Sequence, residues 1–533
     1  MVFLSNFFVW SLIIFAVGCS AASAANTECK KRIIDNNPER IVCVCDGNYC
    51  DQVPAFDTAG LSDGNAVVYT TTKIGQRFNQ TFLQATARVQ GSAAINHSNL
   101  TIDPSQALQR IIGFGGAFTD AAGINIATLS QASQQRLMES YFGPSGIGYN
   151  LGRIPIASCD FSTHEYSYDD NDGDFDLEKF SLAEEDTKYK IPYIKQAQRL
   201  TNNSILLYGS PWSAPGWLKT SGKMTGNGTL IGIPGDKYHK TWAQYFVKFL
   251  DAYAAQNLPI WGLTVENEPS AGFVTNYWFQ AMGLSPEMER DFIKSDLGPA
   301  LVESGHGNVK LMIADDQRLF LPIYADVVLA DKDASKYVSG IAVHWYADFI
   351  SPAASLDYVH RQHPDKFILA TEACAGEIVV LDLNGPILGN WERAESYAHD
   401  IIEDMNHWVA GWTEWNLALD PHGGPNWVSN FVDATIIVNK TSDQFYKQPI
   451  FYALGHFSKF VLRGSYRVPH DLQSGDAKIE STSFIRPDGI RATVIMNKED
   501  TAQLLRVTEV DATKTLDLNL DPNSITTVLW RAL

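Results

Sequence analysis

Two glutamates stand where β-prone runs give way to loops in a chain rich in Trp and Tyr. Glu268 lies in Glu266-Asn267-Glu268-Pro269, and Glu372 lies in Ala370-Thr371-Glu372-Ala373. Two carboxyl groups facing one glycosidic bond can hydrolyse it, one giving a proton to the leaving oxygen and one, ionised, attacking the anomeric carbon. Glu266 and Glu268 share one face of an extended strand, but Glu268 falls at the strand's exit. That position favours Glu268 as the catalytic member and Glu266 as the supporting one. Small residues flank Glu372 and leave room for a sugar ring. An ionised carboxylate beside the acid helps it keep its proton, because like charges resist joint ionisation. The blander readings are structural: Asp120, Arg153 and Asp160 as an ion-pair set, Trp217, Tyr346 and Trp415 as rim packing, His344 as a buried imidazole.

Other chemistries fit less well. Asp315, Asp316, His344 and Glu372 could be drawn as metal ligands, but no H-x-H or H-E-x-x-H spacing accompanies them. Gly113-Phe114-Gly115-Gly116 lacks the Lys of a phosphate loop and is followed by Asp120. Neither a metal nor a cofactor is expected.

Eight β-rich runs position these groups, at 110–114, 148–156, 205–209, 260–265, 309–313, 340–345, 367–371 and 409–415, with amphipathic segments between them. Eight strand-helix units predict an α/β fold, a (β/α)8 TIM barrel, with its active site at the C-terminal strand ends. After the third run, Trp242, Tyr245, Phe246, Phe249, Leu250 and Tyr253 recur at helical spacing as a core stripe. The stretches 66–89 and 478–530 are β-prone and broken by turns such as Pro487-Asp488-Gly489. A β-sandwich built from both chain ends, with the barrel inserted between them, is the simplest assembly.

With 41 Lys and Arg against 60 Asp and Glu, the net charge of −19 argues against nucleic acid as a partner. The apolar run 7–17, followed by Ala22-Ser23-Ala24, reads as a secretory signal peptide at 1–24 and is too short to span a bilayer core of about 30 Å. Behind it, Cys29, Cys43, Cys45 and Cys50 crowd into one stretch and predict two disulfides rather than a zinc site. Bridging Cys43 to Cys45 would be strained, which leaves the sequential or the crossed pairing. Cys159 and Cys374 are expected as buried free thiols. Sequons begin at Asn79, Asn96, Asn99, Asn202, Asn227 and Asn439, all candidates for glycosylation.

Several longer stretches are more specific. They are VCVC at 42–45, GFGGAFTD at 113–120, RIPIASCDFS at 153–162, SPW at 210–212, ENEPSAG at 266–272, TEAC at 371–374, GGPNW at 423–427 and FYKQP at 445–449. On these the chain resembles the glucosylceramidases of glycoside hydrolase family 30 over nearly its whole mature length. The resemblance implies a retaining β-glucosidase that hydrolyses glucosylceramide, with Glu268 as acid/base and Glu372 as nucleophile. It also implies glucose contacts from Asp120, Trp217, Asn267 and Trp415, and support of the carboxylates by Arg153, His344 and Tyr346. It pairs Cys29 with Cys43 and Cys45 with Cys50. The domains it implies are a three-stranded β subdomain from 25–62 and 416–448, a β-sandwich from 63–108 and 465–533, and a barrel from 109–415 and 449–464. The implied setting is the lysosome lumen, reached by secretion, with peripheral membrane association. The implied partners are an anionic phospholipid surface and a saposin-type activator protein. Endo-β-glucanase or β-xylosidase activity is the alternative. The chain departs from the family pattern at Gly216, Trp278 and Glu414.

Overall fold

The computed structural model describes residues 28–54, 61–88, 98–376 and 384–533; the expected signal peptide and the sequon at Asn96 lie outside them. Eight parallel strands close into a barrel in chain order: β1 (Gly113–Ala117), β2 (Leu151–Ile156), β3 (Leu206–Pro211), β4 (Gly262–Thr264), β5 (Lys310–Gln317), β6 (Val338–His344), β7 (Phe367–Glu372) and β8 (Val409–Asn416). The first strand begins three residues later than its apolar residues predict. Gly115 and Gly116, read as a loop, are strand because β1 and β2 lie too close for a side chain: a Cβ on Gly115 would sit 2.0 Å from the Leu151 carbonyl oxygen.

The helix Lys237–Ala255 shows how the outer ring is held. Asp236 caps it by accepting from the Tyr238 and His239 amides. Its aromatic stripe, from Trp242 to Tyr253, is buried as predicted. Each of these large side chains contributes roughly 1.5–3 kcal/mol of burial.

The sandwich takes both sheets from both chain ends. Six strands run in the order Tyr466–Arg467, Ile479–Ile485, Arg491–Asn497, Ser524–Trp530, Asn65–Thr72, Asn79–Gln84. Five more run His470–Gln473, Ser98–Ile102, Gln503–Glu509, Lys514–Leu520, Thr86–Ala87. Every residue of the helix Pro449–Ser458 is buried. Within it, His456 bridges the Thr71 and Thr527 hydroxyls of two sandwich strands, and burial holds it neutral, down to about 3.

The small sheet corrects the expected strand count. It has four strands, Lys31–Ile34, Asn37–Asp46, Gln444–Lys447 and Ile436–Asn439, because Gln444–Lys447 pairs with Asn37–Asp46 and brings its own hairpin partner Ile436–Asn439 to the sheet edge. Asp35 and Asn36 turn the first hairpin with φ of 51° and 56°. The disulfides are Cys29–Cys43 and Cys45–Cys50, and Cys159 and Cys374 are buried thiols. Asn79, Asn202 and Asn227 are exposed, whereas Asn99 and Asn439 are half-buried. No helix among the described residues is long and apolar enough to cross a membrane.

Gly115→Ala forces β1 and β2 apart and is expected to destabilise the protein by about 3 kcal/mol. A thermal melting midpoint equal to the wild type's would contradict the close-approach reading.

Candidate active site

The strand ends bring Glu268 and Glu372 together. Glu372 is the last residue of β7, in register with His344 at the end of β6. Glu268 lies four residues past β4 with a left-handed φ of 43°, unusual for a residue with a side chain. Carboxylate oxygens of the two glutamates lie within 4.8 Å of each other. Glu266, by contrast, is buried, and burial pushes its carboxyl well up despite the Lys219 charge, so it stands neutral behind the site.

One buried network holds both. Arg153, on β2, pairs through Nη1 with Glu372 and donates through Nη2 to Asn267 Oδ1 at 2.8 Å and Asp315 Oδ2 at 2.9 Å. Asp315 also accepts from the Thr264 and Thr371 hydroxyls, each at 2.6 Å. His344 spans the remaining gap, with Nε2 3.1 Å from Asp315 and Nδ1 3.1 Å from Glu268. Tyr346 donates to Glu372 at 2.8 Å, and the Gln317 amide donates to Glu268 at 2.8 Å. Asp315 reaches the centre because β5 bulges between Ala314 and Asp316, where both Ala314 and Asp315 take positive φ.

The charges follow from this geometry. Burial would raise Asp315, but the Arg153 and His344 charges and the hydroxyl donors outweigh it and hold the carboxyl well below the usual range. Burial would lower His344, but the carboxylates around it push it up to about 10. His344 is therefore an imidazolium that donates from both nitrogens, which leaves it no lone pair for a metal ion. Burial raises Glu372, opposed by His344 and Arg153.

The cavity walls differ from the expected glucose contacts. The cavity over the glutamates, about 270 Å³, is lined by Asp160, Trp212, Asn267, Trp415, Tyr346 and the aromatic loop Tyr277-Trp278-Phe279, among others. Asp120 is not among its lining residues. It opens the helix Asp120–Ala127, where its carboxylate meets Lys190 at 3.1 Å and accepts from Ser162 and Tyr166. Trp217 also misses the cavity, its ring nitrogen donating to the Asp169 carbonyl at 2.9 Å and its ring in a T-shaped contact with Phe175. Their places are taken by Asp160, which accepts from Asn426 and Asn430, and by Trp212, stacked on Trp415 at 5.0 Å with the Arg153 guanidinium over its ring. Both replacements lie at strand exits, the position that the barrel rule singles out. In the loop after β4, Met282 and Phe279 are packing residues, while Phe273 and Trp278 are half exposed.

Asp315→Asn is expected to cost about 3–5 kcal/mol, since it strands two buried cations. The sign follows from the two shifts. A carboxyl held low stabilises above its unfolded value near 4, and an imidazole held high stabilises fully below its unfolded value of about 6.5, until pH passes about 10. The loss in melting temperature should therefore be full at pH 5 and shrink toward pH 2. A loss that is constant with pH would refute the ion-pair account.

Comparison with known proteins agrees with the geometry. Residues 111–461 match the glycosyl hydrolase family 30 TIM-barrel domain, and residues 464–528 match the family 30 beta sandwich domain. The chain is 46% identical over 508 residues to the putative glucosylceramidase 3 of Caenorhabditis elegans, covering 95% of this chain and 96% of that one. It is 48% identical over 492 residues to the lysosomal acid glucosylceramidase of Mus musculus, covering 92% and 93%. Among solved structures, SrfJ from Salmonella typhimurium superposes with a TM-score of 0.79 at 28% identity, over 88% of this chain and all of that one. A carboxylate pair at the mouth of a family 30 barrel, on a chain matched from barrel through sandwich, places this protein in glycoside hydrolase family 30.

Proposed function

We propose that the protein is a retaining β-glucosidase that hydrolyses glucosylceramide to glucose and ceramide. The observation that carries this reading is the approach of Glu268 and Glu372 to within 4.8 Å. Retaining enzymes hold their carboxyl groups about 5–5.5 Å apart, and inverting ones about 6.5–9.5 Å, to admit a water between. The names of the nematode and mouse relatives support the substrate.

In the first step, a Glu372 oxygen bonds to the anomeric carbon as the bond to the ceramide oxygen breaks. Glu268 gives that oxygen its proton, and a glucosyl ester remains. In the second, Glu268 takes a proton from water, the water oxygen bonds to the anomeric carbon, and Glu372 leaves as carboxylate. Arg153 and Tyr346 hold Glu372, and His344 and Gln317 orient Glu268. Asp160, Trp212, Asn267 and Trp415 take the glucose contacts. Asp120 braces the wall behind them.

Reaching a lipid headgroup requires an apolar approach. Phe273, Trp278, Leu319, Phe349 and Ile350, in segments after β4, β5 and β6, are roughly half exposed or more, Phe349 at 87%. An exposed apolar rim around a glycolipid site suits a membrane surface or a saposin-type activator. The proposed setting is the lysosome lumen, reached through the secretory pathway. In that acidic medium protonated His reduces the repulsion from anionic lipid. Burial holds His456 to about 3 and His470 to about 4, so both stay neutral and the charge relieved is less than the 12 His would give.

A cyclophellitol-type probe followed by mass spectrometry should label Glu372, and labelling elsewhere would sink the nucleophile assignment. Glu268→Ala is expected to lose roughly 10²–10⁴-fold on glucosylceramide and far less on activated aryl glucosides. Equal losses on both would argue against its acid role. Phe349→Ser should weaken binding to anionic liposomes while leaving soluble aryl glucosides turned over normally; unchanged liposome binding would remove Phe349 from the rim.

A further inference from the structure

A dense buried charge cluster outside the cavity lies behind the loops that follow β5 and β6. Arg318, fully buried, meets Asp348 at 2.5 Å, Glu403 at 2.6 Å, Asp404 at 2.9 Å and Asp400 at 3.7 Å. Asp348 comes from the loop after β6. Asp400, Glu403 and Asp404 share one face of the helix Trp391–Asn406 at i, i+3 and i+4. Oxygens of Asp348, Asp400 and Asp404 crowd within 4.8 Å of one another. Two neutral groups also face the cluster: Trp412, which donates to Asp400 at 2.8 Å, and the Ser351 carbonyl, which accepts from Arg318 at 3.4 Å. Among the described residues, Arg318 is the one cation in a salt bridge with these carboxylates, and the His399 imidazole, bonded to Glu480 at 2.7 Å, adds a weaker attraction at Glu403.

One guanidinium cannot neutralise four carboxylates. Fully ionised, the cluster would hold three surplus negative charges; Glu403 is partly exposed to solvent, but the three aspartates crowd where the dielectric is low and like charges are costly. A proton on one carboxyl turns repulsion into a hydrogen bond to its neighbour. Burial, then the neighbouring carboxylates, pushes Asp348 and Asp404 up; burial raises Asp400 too, against the Arg318 charge.

The position of the cluster gives this a consequence. Arg318 directly follows Gln317, whose amide holds Glu268, and Asp348 lies two residues after Tyr346, whose hydroxyl holds Glu372. The Arg318–Asp348 pair therefore ties the two segments that carry polar partners of both glutamates. We propose that this cluster is a proton-operated clasp. With its surplus carboxylates protonated, it keeps Gln317 and Tyr346 in place on Glu268 and Glu372, and it loosens when those protons leave. Asp348, Asp400 and Asp404 are thus positioning residues, and the inference rests on the roles given above to the two glutamates.

The sign is that of carboxyls held high in the folded state. Their stabilisation is complete below the unfolded value near 4 and is lost as pH rises through the folded values. Asp348 is pushed up to about 10, so the clasp stays closed through neutral pH and is strained as pH climbs toward that value.

Hydrogen exchange of segments 317–321 and 345–351 on the full chain, corrected for the intrinsic effect of pH on exchange, tests this without substrate. From pH 7 to about pH 11 the wild type should exchange about tenfold faster in both segments as the clasp carboxyls lose their protons. In Asp400→Asn/Asp404→Asn, neutral amides stand in for protonated carboxyls, so protection should persist. The alkaline limb of kcat/KM on an aryl β-glucoside should move to higher pH. Identical pH dependence of exchange in wild type and folded variant would overturn the clasp. If the double variant fails to fold, Asp404→Asn is read by the same ratio. Failure of the glucosylceramidase reading alone would leave the exchange result intact, which separates the two.

Discussion

A guanidinium shut away from water must be matched by fixed anions, and Arg153 sets that requirement for the whole mouth of the barrel. It is fully buried, and its two nearest charges are Asp315 and Glu372. If Glu372 were its only anion, the carboxylate would be neutralised by the arginine and poorly placed to attack. Asp315 takes part of that charge and also charges His344, so the line from Glu372 through Arg153, Asp315 and His344 to Glu268 alternates in sign up to the second glutamate. Such an arrangement is preorganised before any substrate arrives.

The backbone pays for this locally. Ala314 and Asp315 adopt left-handed conformations at the β5 bulge, and Glu268 does so beyond β4. These conformations are uncommon for residues with side chains, and persist where surrounding structure over-determines them. Here the surroundings are tight: the Glu268 amide donates to the Asp315 carbonyl at 2.9 Å, so the two unusual residues hold each other. The barrel supplies the frame, and short β4 leaves its following loop free to make this contact.

Much of this was legible in the residues. Eight strand-helix units, the aromatic stripe of the helix after the third strand and the β-prone chain ends define the barrel and sandwich by periodicity alone. Glu268 and Glu372 stood out because each ends a β-prone run. Disulfide pairing needed the family resemblance, since spacing left two arrangements open. Asp120 and Asp160 could not be separated by type, because each follows an apolar run and only the fold shows which one opens a helix against Lys190. Trp212 and Trp217 lie in one Pro-rich turn, and which ring lines the cavity depends on how that turn folds back. Asp315 was visible only as half of an acidic pair, since a bulge leaves no mark in side-chain periodicity. The Arg318 cluster draws on three segments far apart in the chain, and no local pattern joins them.

The sandwich has a consequence for how the protein is made. Its strand Asn65–Thr72 lies between Asn79–Gln84 and the last strand, Ser524–Trp530, residue for residue from Ala66 to Thr72. At ribosomal speeds of about 5–20 residues per second, the early strand waits on the order of tens of seconds for that partner. Throughout that interval it presents an open edge of Val and Tyr while the barrel forms behind it. A lesion in Ser524–Trp530 would thus leave the edge of Asn65–Thr72 unpaired even with the catalytic barrel complete.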